Sequence, residues 1–145
     1  MQKILALALS GLMFGPASAQ ADAAPTDTAI LAMGAYVPTD DIATSQAFYR
    51  VLFDRAPTIQ LDDFVAFDTA GGWFAIVSRP KYAPNTVPGT GSVPYLQSAA
   101  LEDLQARVAQ TGRAVPAIIK EPGIHVLKIT DPNGQLIEFF RLMGQ

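Results

Sequence analysis

The second half of this chain repeats the pattern of its first half. Residues 64–79 and 127–141 each read as two apolar strands around a turn. With one extra residue allowed in the first turn, Asp68 matches Asp131, Gly72 matches Gly134, and Arg79 matches Arg141. Each half predicts a βαβββ module. Because one module alone would leave a sheet face bare, we expect two modules to pair.

Each module is predicted as a strand, a helix and three further strands. The first helix is expected to begin at Thr39 or Asp40 and the second at Ser98, while Gly112 suits a helix C-terminus. The predicted strands are 30–37, 58–61, 64–67 and 73–78, then 93–97, 114–120, 124–130 and 135–141. Residues 80–92 are rich in Pro and Gly and predict a linker between module one (30–79) and module two (93–141) of a single domain, 30–141.

The N-terminus has the pattern of a secretory signal peptide. Lys3 precedes an apolar stretch at 4–14, and Ala17 and Ala19 form a small-x-small cleavage signature. We expect cleavage after Ala19, a flexible lead-in at 20–29, and a periplasmic or secreted mature protein. The alternatives are an uncleaved anchor or a buried N-terminal helix.

Charge and cysteine content exclude several classes of function. The chain has ten basic and 13 acidic residues, so removing Lys3 with the signal peptide leaves nine against 13, a net charge of −4. Without a basic patch, nucleic acid or an anionic membrane is disfavoured as a partner. The absence of Cys excludes disulfides, thiol chemistry and thiolate metal sites.

Two segments resemble the vicinal-oxygen-chelate superfamily, which includes glyoxalase I, bleomycin-resistance proteins and extradiol dioxygenases. Asp41-Ile42 with 47–53 is similar to the family's first helix, and 131–139 (DPNGQLIEF) to its final hairpin. The resemblance covers residues 30–141. It implies an α+β fold in which two βαβββ modules pair into a cupped mixed sheet, with a homodimer expected by analogy.

The resemblance also implies where a metal would bind, on the first and last strands of each module. The last strand of module two offers Glu138, and the aligned position of module one is Ile76. The first strands offer only non-ligands there: Ala32 or Gly34, and Gly91 or Val93. Catalytic sites need about three protein ligands, so no cofactor is expected. A divalent metal held by other ligands is the alternative.

His125, the single histidine, is the other candidate for chemistry. If the turn spans 131–134, Leu127 faces Glu138 and His125 faces Phe140, so that His125 and Glu138 share one sheet face. The two side chains then form either an acid–base pair or a purely structural contact. In this register Lys128 falls on the helix-facing side, where we expect it to extend to the edge.

The proposed cup is mostly apolar and aromatic, as ligand sites usually are. Its predicted ligand-binding residues are Tyr36, Phe74, Ile76, Tyr95, Gln97, Leu136 and Phe140. Three hypotheses follow. The first is a metal-free protein that binds a small, partly aromatic molecule. The second is a glyoxalase-like lyase, isomerase or dioxygenase, and the third is a unit for docking a protein partner.

Overall fold

The computed structural model describes residues 30–144, which form two successive βαβββ modules, so the predicted α+β fold is confirmed. The predicted signal peptide and lead-in lie outside these residues. No helix in this part of the chain is long and apolar enough to cross a membrane. The elements are β1 (Met33–Thr39), α1 (Ile42–Phe53), β2 (Ile59–Gln60), β3 (Phe64–Thr69), β4 (Gly72–Ser78), α2 (Arg79–Tyr82), β5 (Tyr95–Gln97), α3 (Leu101–Gln110), β6 (Ile119–Glu121), β7 (Ile124–Thr130) and β8 (Leu136–Leu142).

Each module builds its own four-stranded mixed sheet. The strand orders are β1-β4-β3-β2 and β5-β8-β7-β6, with the first and last strands of each module parallel and the others antiparallel. Within residues 30–144 no strand ladder joins the two sheets. One edge of β1 and one edge of β5 are therefore left without a strand partner in this part of the chain.

Both modules bury their helix-facing side chains in one common core. Helices α1 and α3 contact each other. The buried cluster contains residues of both modules, among them Phe48, Leu52, Leu101, Leu127 and Ile137. The ring of Phe53 packs edge-on against Phe74 and Phe139. Since the helices pack against each other as well as on the sheets of their own modules, the two modules stabilise each other.

A buried polar cluster joins the modules at one end of this core. Tyr49 donates a hydrogen bond to Asp131 Oδ2 at 2.9 Å, and both side chains are fully buried. Asn133 Nδ2 donates to Thr39 Oγ1 at 2.6 Å and to Ser45 Oγ at 2.9 Å. Buried polar groups need such partners, so the turn after β7 is held against the start of α1.

The helix starts differ from those predicted. Asp41, rather than Thr39 or Asp40, is the N-cap of α1, and its Oδ1 accepts from the Thr44 amide. Ala100 occupies the N-cap of α3. Ser98 Oγ instead accepts from the Ala100 amide. The predicted linker contains one helical turn, α2.

The hairpin register of module two differs by one residue from the prediction. Thr130 pairs with Leu136, Lys128 with Glu138, and His125 with Arg141. The loop is longer than the expected turn because the Asp131 carboxylate accepts from the amides of Asn133 and Gln135, both at 2.8 Å. A shift of one residue exchanges the two faces of a strand, so β7 presents the opposite face to that predicted.

The register also changes the match between the modules. Tyr36 pairs with Ala75 in module one as Tyr95 pairs with Glu138 in module two. The counterpart of Glu138 is therefore Ala75 and not Ile76. Phe74 and Ile76 are buried in the common core on the helix side, which corrects their predicted place on the open face.

Candidate functional site

A groove of about 1160 Å³ lies between the first strands of the two modules. Its walls come from β1 and the β3–β4 turn on one side and from β5 with the chain before it on the other. The ends of α1 and α3 contribute from the helix side. Both modules therefore build this site, which lies beside the two strand edges.

The floor of the groove is apolar. It consists of core side chains that reach the gap between the sheets, including Leu52, Phe53, Phe74, Leu104 and Phe139. Phe53 and Phe74 are in ring contact, with centroids 5.1 Å apart. Phe74 thus lines the groove from the core side. An apolar floor of this kind favours the burial of an apolar part of a ligand.

Three large aromatic side chains stand at the rim. Tyr36, Trp73 and Tyr95 are 58%, 48% and 52% exposed, although each lies in a strand. Tyr95 stacks on Phe140 with ring centroids 4.1 Å apart and planes at 9°. Phe140 therefore fixes one face of the Tyr95 ring. Aromatic rings placed around a groove can stack on a planar ligand.

The polar lining includes two arginines and one aspartate as its charged residues. Arg107 donates to Leu52 O at 3.4 Å and to Asp54 Oδ2 at 3.2 Å. Arg55 donates to the backbone oxygen of Asp68 at 2.6 Å. Gln97 adds an exposed amide. The sequence pattern carried no signal for Arg55 and Arg107, because their placement depends on how α3 packs on the end of α1.

Glu138 lies on the open face of the second sheet, outside the groove lining. Its carboxylate forms an ion pair with Lys128 Nζ at 2.9 Å, across the β7–β8 ladder. The Glu138 side chain is 19% exposed and Tyr95 is its parallel-strand neighbour. Lys128, expected on the helix side, is thus the partner of this carboxylate. Leu136 and Phe140 share the face, whereas Gln97 and Tyr95 also line the groove.

His125 cannot pair with Glu138, because the two residues point to opposite faces of the sheet. The prediction that they share a face is wrong, for the reason of register given above. His125 Nδ1 lies 3.3 Å from Arg141 Nη2, and Arg141 also binds both carboxylate oxygens of Glu102 at 2.8 and 2.9 Å. The Arg141 hydrogen bonds lower the pKa of Glu102 from 4.5 to about 2. This cluster fixes the start of α3 to the sheet.

The open faces do not supply the donor set of a catalytic divalent metal. Ala75, the counterpart of Glu138, has no donor atom, and the neighbouring first-strand residues Tyr36 and Tyr95 are not among the usual ligands. Among residues 30–144 no three His, Cys, Asp or Glu side chains gather closely enough to hold an ion. The residues present therefore do not fit such a metal.

The architecture and its paired modules are those of the glyoxalase/bleomycin-resistance/dioxygenase fold, so the predicted resemblance is confirmed at the level of the fold. A glyoxalase/bleomycin resistance protein from Catenulispora acidiphila matches with a TM-score of 0.63 and 22% identity, over 78% of this chain and 99% of its own. Lactoylglutathione lyase from Agrobacterium tumefaciens matches with a TM-score of 0.59 and 21% identity, over 79% and 93%.

A glyoxalase/bleomycin resistance protein/dioxygenase family enzyme from Burkholderia phytofirmans matches with a TM-score of 0.63 at 15% identity, over 76% of this chain and 97% of its own. No protein-family profile and no curated protein sequence matches the chain. At these identities one fold serves many activities, so the structural similarity establishes the fold alone.

Proposed function

We propose that this protein is exported and binds a small, partly aromatic molecule in the groove between β1 and β5, without a resident catalytic metal. One observation supports this most: three half-exposed aromatic side chains surround an apolar floor in a groove of about 1160 Å³. Single exposed aromatics are common on protein surfaces. Three exposed aromatic side chains around one groove, whose floor is made of core side chains, favour a binding site.

The single tryptophan makes the proposal directly testable. Trp73 lies in the groove lining, so a ligand that stacks there changes its fluorescence. We expect titration with planar aromatic compounds to give a saturable change, together with a rise in melting temperature, because a ligand of the native state stabilises it by mass action.

Variants of the rim test whether the groove is the binding site. Tyr95→Ala removes the ring that Phe140 supports, and we expect its affinity for the same compounds to fall about tenfold, the scale of one aromatic contact. Tyr82→Ala is the matched control, since Tyr82 is also exposed but does not line the groove. Equal affinity of the Tyr95 variant and the parent, or an equal loss in the control, would contradict the proposal.

The alternative proposal is that the protein is an enzyme, and the match to a lactoylglutathione lyase supports it. Such an activity would need a metal with ligands other than those considered above, since His125 and Glu138 lie on opposite faces. Elemental analysis of protein purified without chelator separates the two hypotheses. A stoichiometric transition metal would favour the enzyme. Metal at trace level, combined with ligand binding, favours the binding protein.

Export is proposed from the N-terminal pattern alone. The intact mass of protein recovered from the periplasm or medium is expected to correspond to a chain that begins at Gln20. A mass that includes Met1 would contradict cleavage after Ala19.

A homodimer is proposed as the assembly. The edge strands β2 and β6 each have one edge without a strand partner within residues 30–144 and lie outside the groove lining, and such edges are prone to pair with another chain. Sedimentation velocity is expected to give twice the monomer mass at micromolar concentration. A single monomeric species throughout that range would contradict the dimer.

A further inference from the structure

We propose that the groove selects aromatic ligands that carry an anionic group, a carboxylate for example, and that Arg107 binds this group. The inference rests on the proposed ligand-binding function and adds the charge class of the ligand.

The charged residues of the groove lining differ in burial, and the most buried one would interact most strongly with a ligand. Of the charged residues in its lining, Arg55 and Asp68 are exposed, whereas the Arg107 side chain is only 29% exposed. Arg107 lies next to the apolar floor, where Leu52 and Leu104 exclude water. Charges interact more strongly where water is excluded, so among the charged residues of the lining Arg107 would interact most strongly with a bound anion. The chain as a whole has a net charge of −3.

The present partners of Arg107 leave it available to a ligand. Its hydrogen bonds to Leu52 O and Asp54 Oδ2 are 3.4 and 3.2 Å long, at or beyond the usual upper distance. Asp54 is 76% exposed, so water screens the pair. The guanidinium has about five N–H donors, which suit a second, bidentate carboxylate.

The C-terminal end of α1 does not repel an anion bound at Arg107. The carbonyl end of a helix carries partial negative charge, but Arg107 donates to Leu52 O and Arg55 follows within the next turn. Arg107 is held at the end of α1 and Arg55 at the end of β3, and both line the groove. Trp73 stands directly across the β3–β4 ladder from Asp68, whose backbone oxygen holds Arg55. A ligand can place its ring against the aromatic rim and its acid towards Arg107.

A matched set of three compounds tests the charge class by isothermal titration calorimetry. The set is 1-naphthoate, 1-naphthamide and 1-naphthylmethylammonium, which share a ring system and differ in charge. We expect 1-naphthoate to bind at least tenfold more tightly than the amide, and the ammonium compound to bind more weakly than either. Raising the salt concentration should weaken only the naphthoate.

Variants locate the anion site. Arg107→Gln is expected to lower naphthoate affinity about tenfold and leave naphthamide affinity unchanged, and Arg107→Lys should restore part of the loss. Asp54→Asn removes the carboxylate that competes for Arg107. It should tighten naphthoate binding by about two- to fivefold, a gain that a damaged fold would not produce. Lys120→Gln is the control, because Lys120 is an exposed basic residue that lines neither the groove nor the cavity next to Arg107 and Asp54.

The outcomes distinguish the two proposals. If the amide binds as tightly as the acid, or if Arg107→Gln leaves naphthoate affinity unchanged, the anion site is overturned while the binding function stands. If none of the three compounds binds, the proposed function fails and the anion site fails with it.

Discussion

The Tyr49 side chain connects α1 to the turn after β7 through a fully buried contact. Its hydroxyl donates to Asp131, and both burial and this carboxylate raise the pKa of Tyr49 well above 10. Asp131 keeps two backbone donors on its other oxygen. We expect Tyr49→Phe to lower the free energy of unfolding by about 1–3 kcal/mol, the cost of a buried acceptor that loses its partner.

Urea denaturation at pH 7 measures this change. Tyr82→Phe is the control, since its exposed hydroxyl makes only a 3.4 Å contact with Asp63 and its loss should cost much less. A Tyr49→Phe variant as stable as the parent would show that water or rearrangement satisfies Asp131 fully. In the parent, the folded-state pKa of Tyr49 is raised, so the contribution of this side chain to the free energy of unfolding is complete below pH 10. It is lost as the pH rises further.

Glu102 predicts a second, acid-dependent effect. Its folded-state pKa is about 2, lowered from 4.5 mainly by hydrogen bonds from Arg141. Because the pKa of Glu102 is lowered in the folded state, the contribution of this carboxylate to the free energy of unfolding is complete above pH 4.5. It is lost as the pH falls towards 2. Glu102→Gln should therefore flatten the decline of stability between these pH values. Glu121→Gln, which alters an exposed carboxylate outside any ion pair of residues 30–144, should leave the slope unchanged.

At the level of strands, Gly72 sets the start of the β1–β4 ladder. A Cβ atom at this position would lie 1.6 Å from the backbone oxygen of Met33, so Gly72→Ala forces β1 away. We expect faster amide hydrogen exchange in the first residues of β1 and weaker ligand binding in the groove beside it. Ala106→Ser, an exposed change on α3 outside the groove lining, is the control. Unchanged protection of β1 in the Gly72 variant would contradict this account.

The internal repeat was sufficient to predict the βαβββ order, but not the register of the final hairpin. Register depended on one residue of loop length, which the hydrogen bonds of Asp131 determine. Lys128 carried a usable signal: a charged residue predicted on the helix-facing side indicated that the faces of β7 were exchanged. With that correction Glu138 gains a partner on the open face, and His125 moves to the cluster at the start of α3.

The groove itself could be predicted only in part. Tyr36, Tyr95 and Gln97 were assigned to a cavity because of strand alternation, and they do lie in the groove lining. The arginines were not found, because no local pattern states which helix end will lie beside which strand. That arrangement depends on contacts between distant parts of the chain, such as Tyr49 with Asp131.

At the scale of the whole molecule, the two modules are expected to unfold together. They share one buried cluster, and the contacts of Asn133 with Thr39 and Ser45 connect residues about ninety positions apart. Neither module can expose its helix-facing surface without opening the other, which is the condition for a single cooperative transition.

Denaturation followed by two probes tests this cooperativity. Trp73 fluorescence reports on module one, and far-ultraviolet circular dichroism reports on the whole backbone, so the two urea midpoints should coincide. Asn133→Ala should shift both midpoints equally and lower the free energy of unfolding by about 1–2 kcal/mol, because two part-buried hydrogen bonds are lost. Asn85→Ala in the exposed linker should shift neither midpoint. If the fluorescence transition separates from the dichroism transition, the modules are independent folding units.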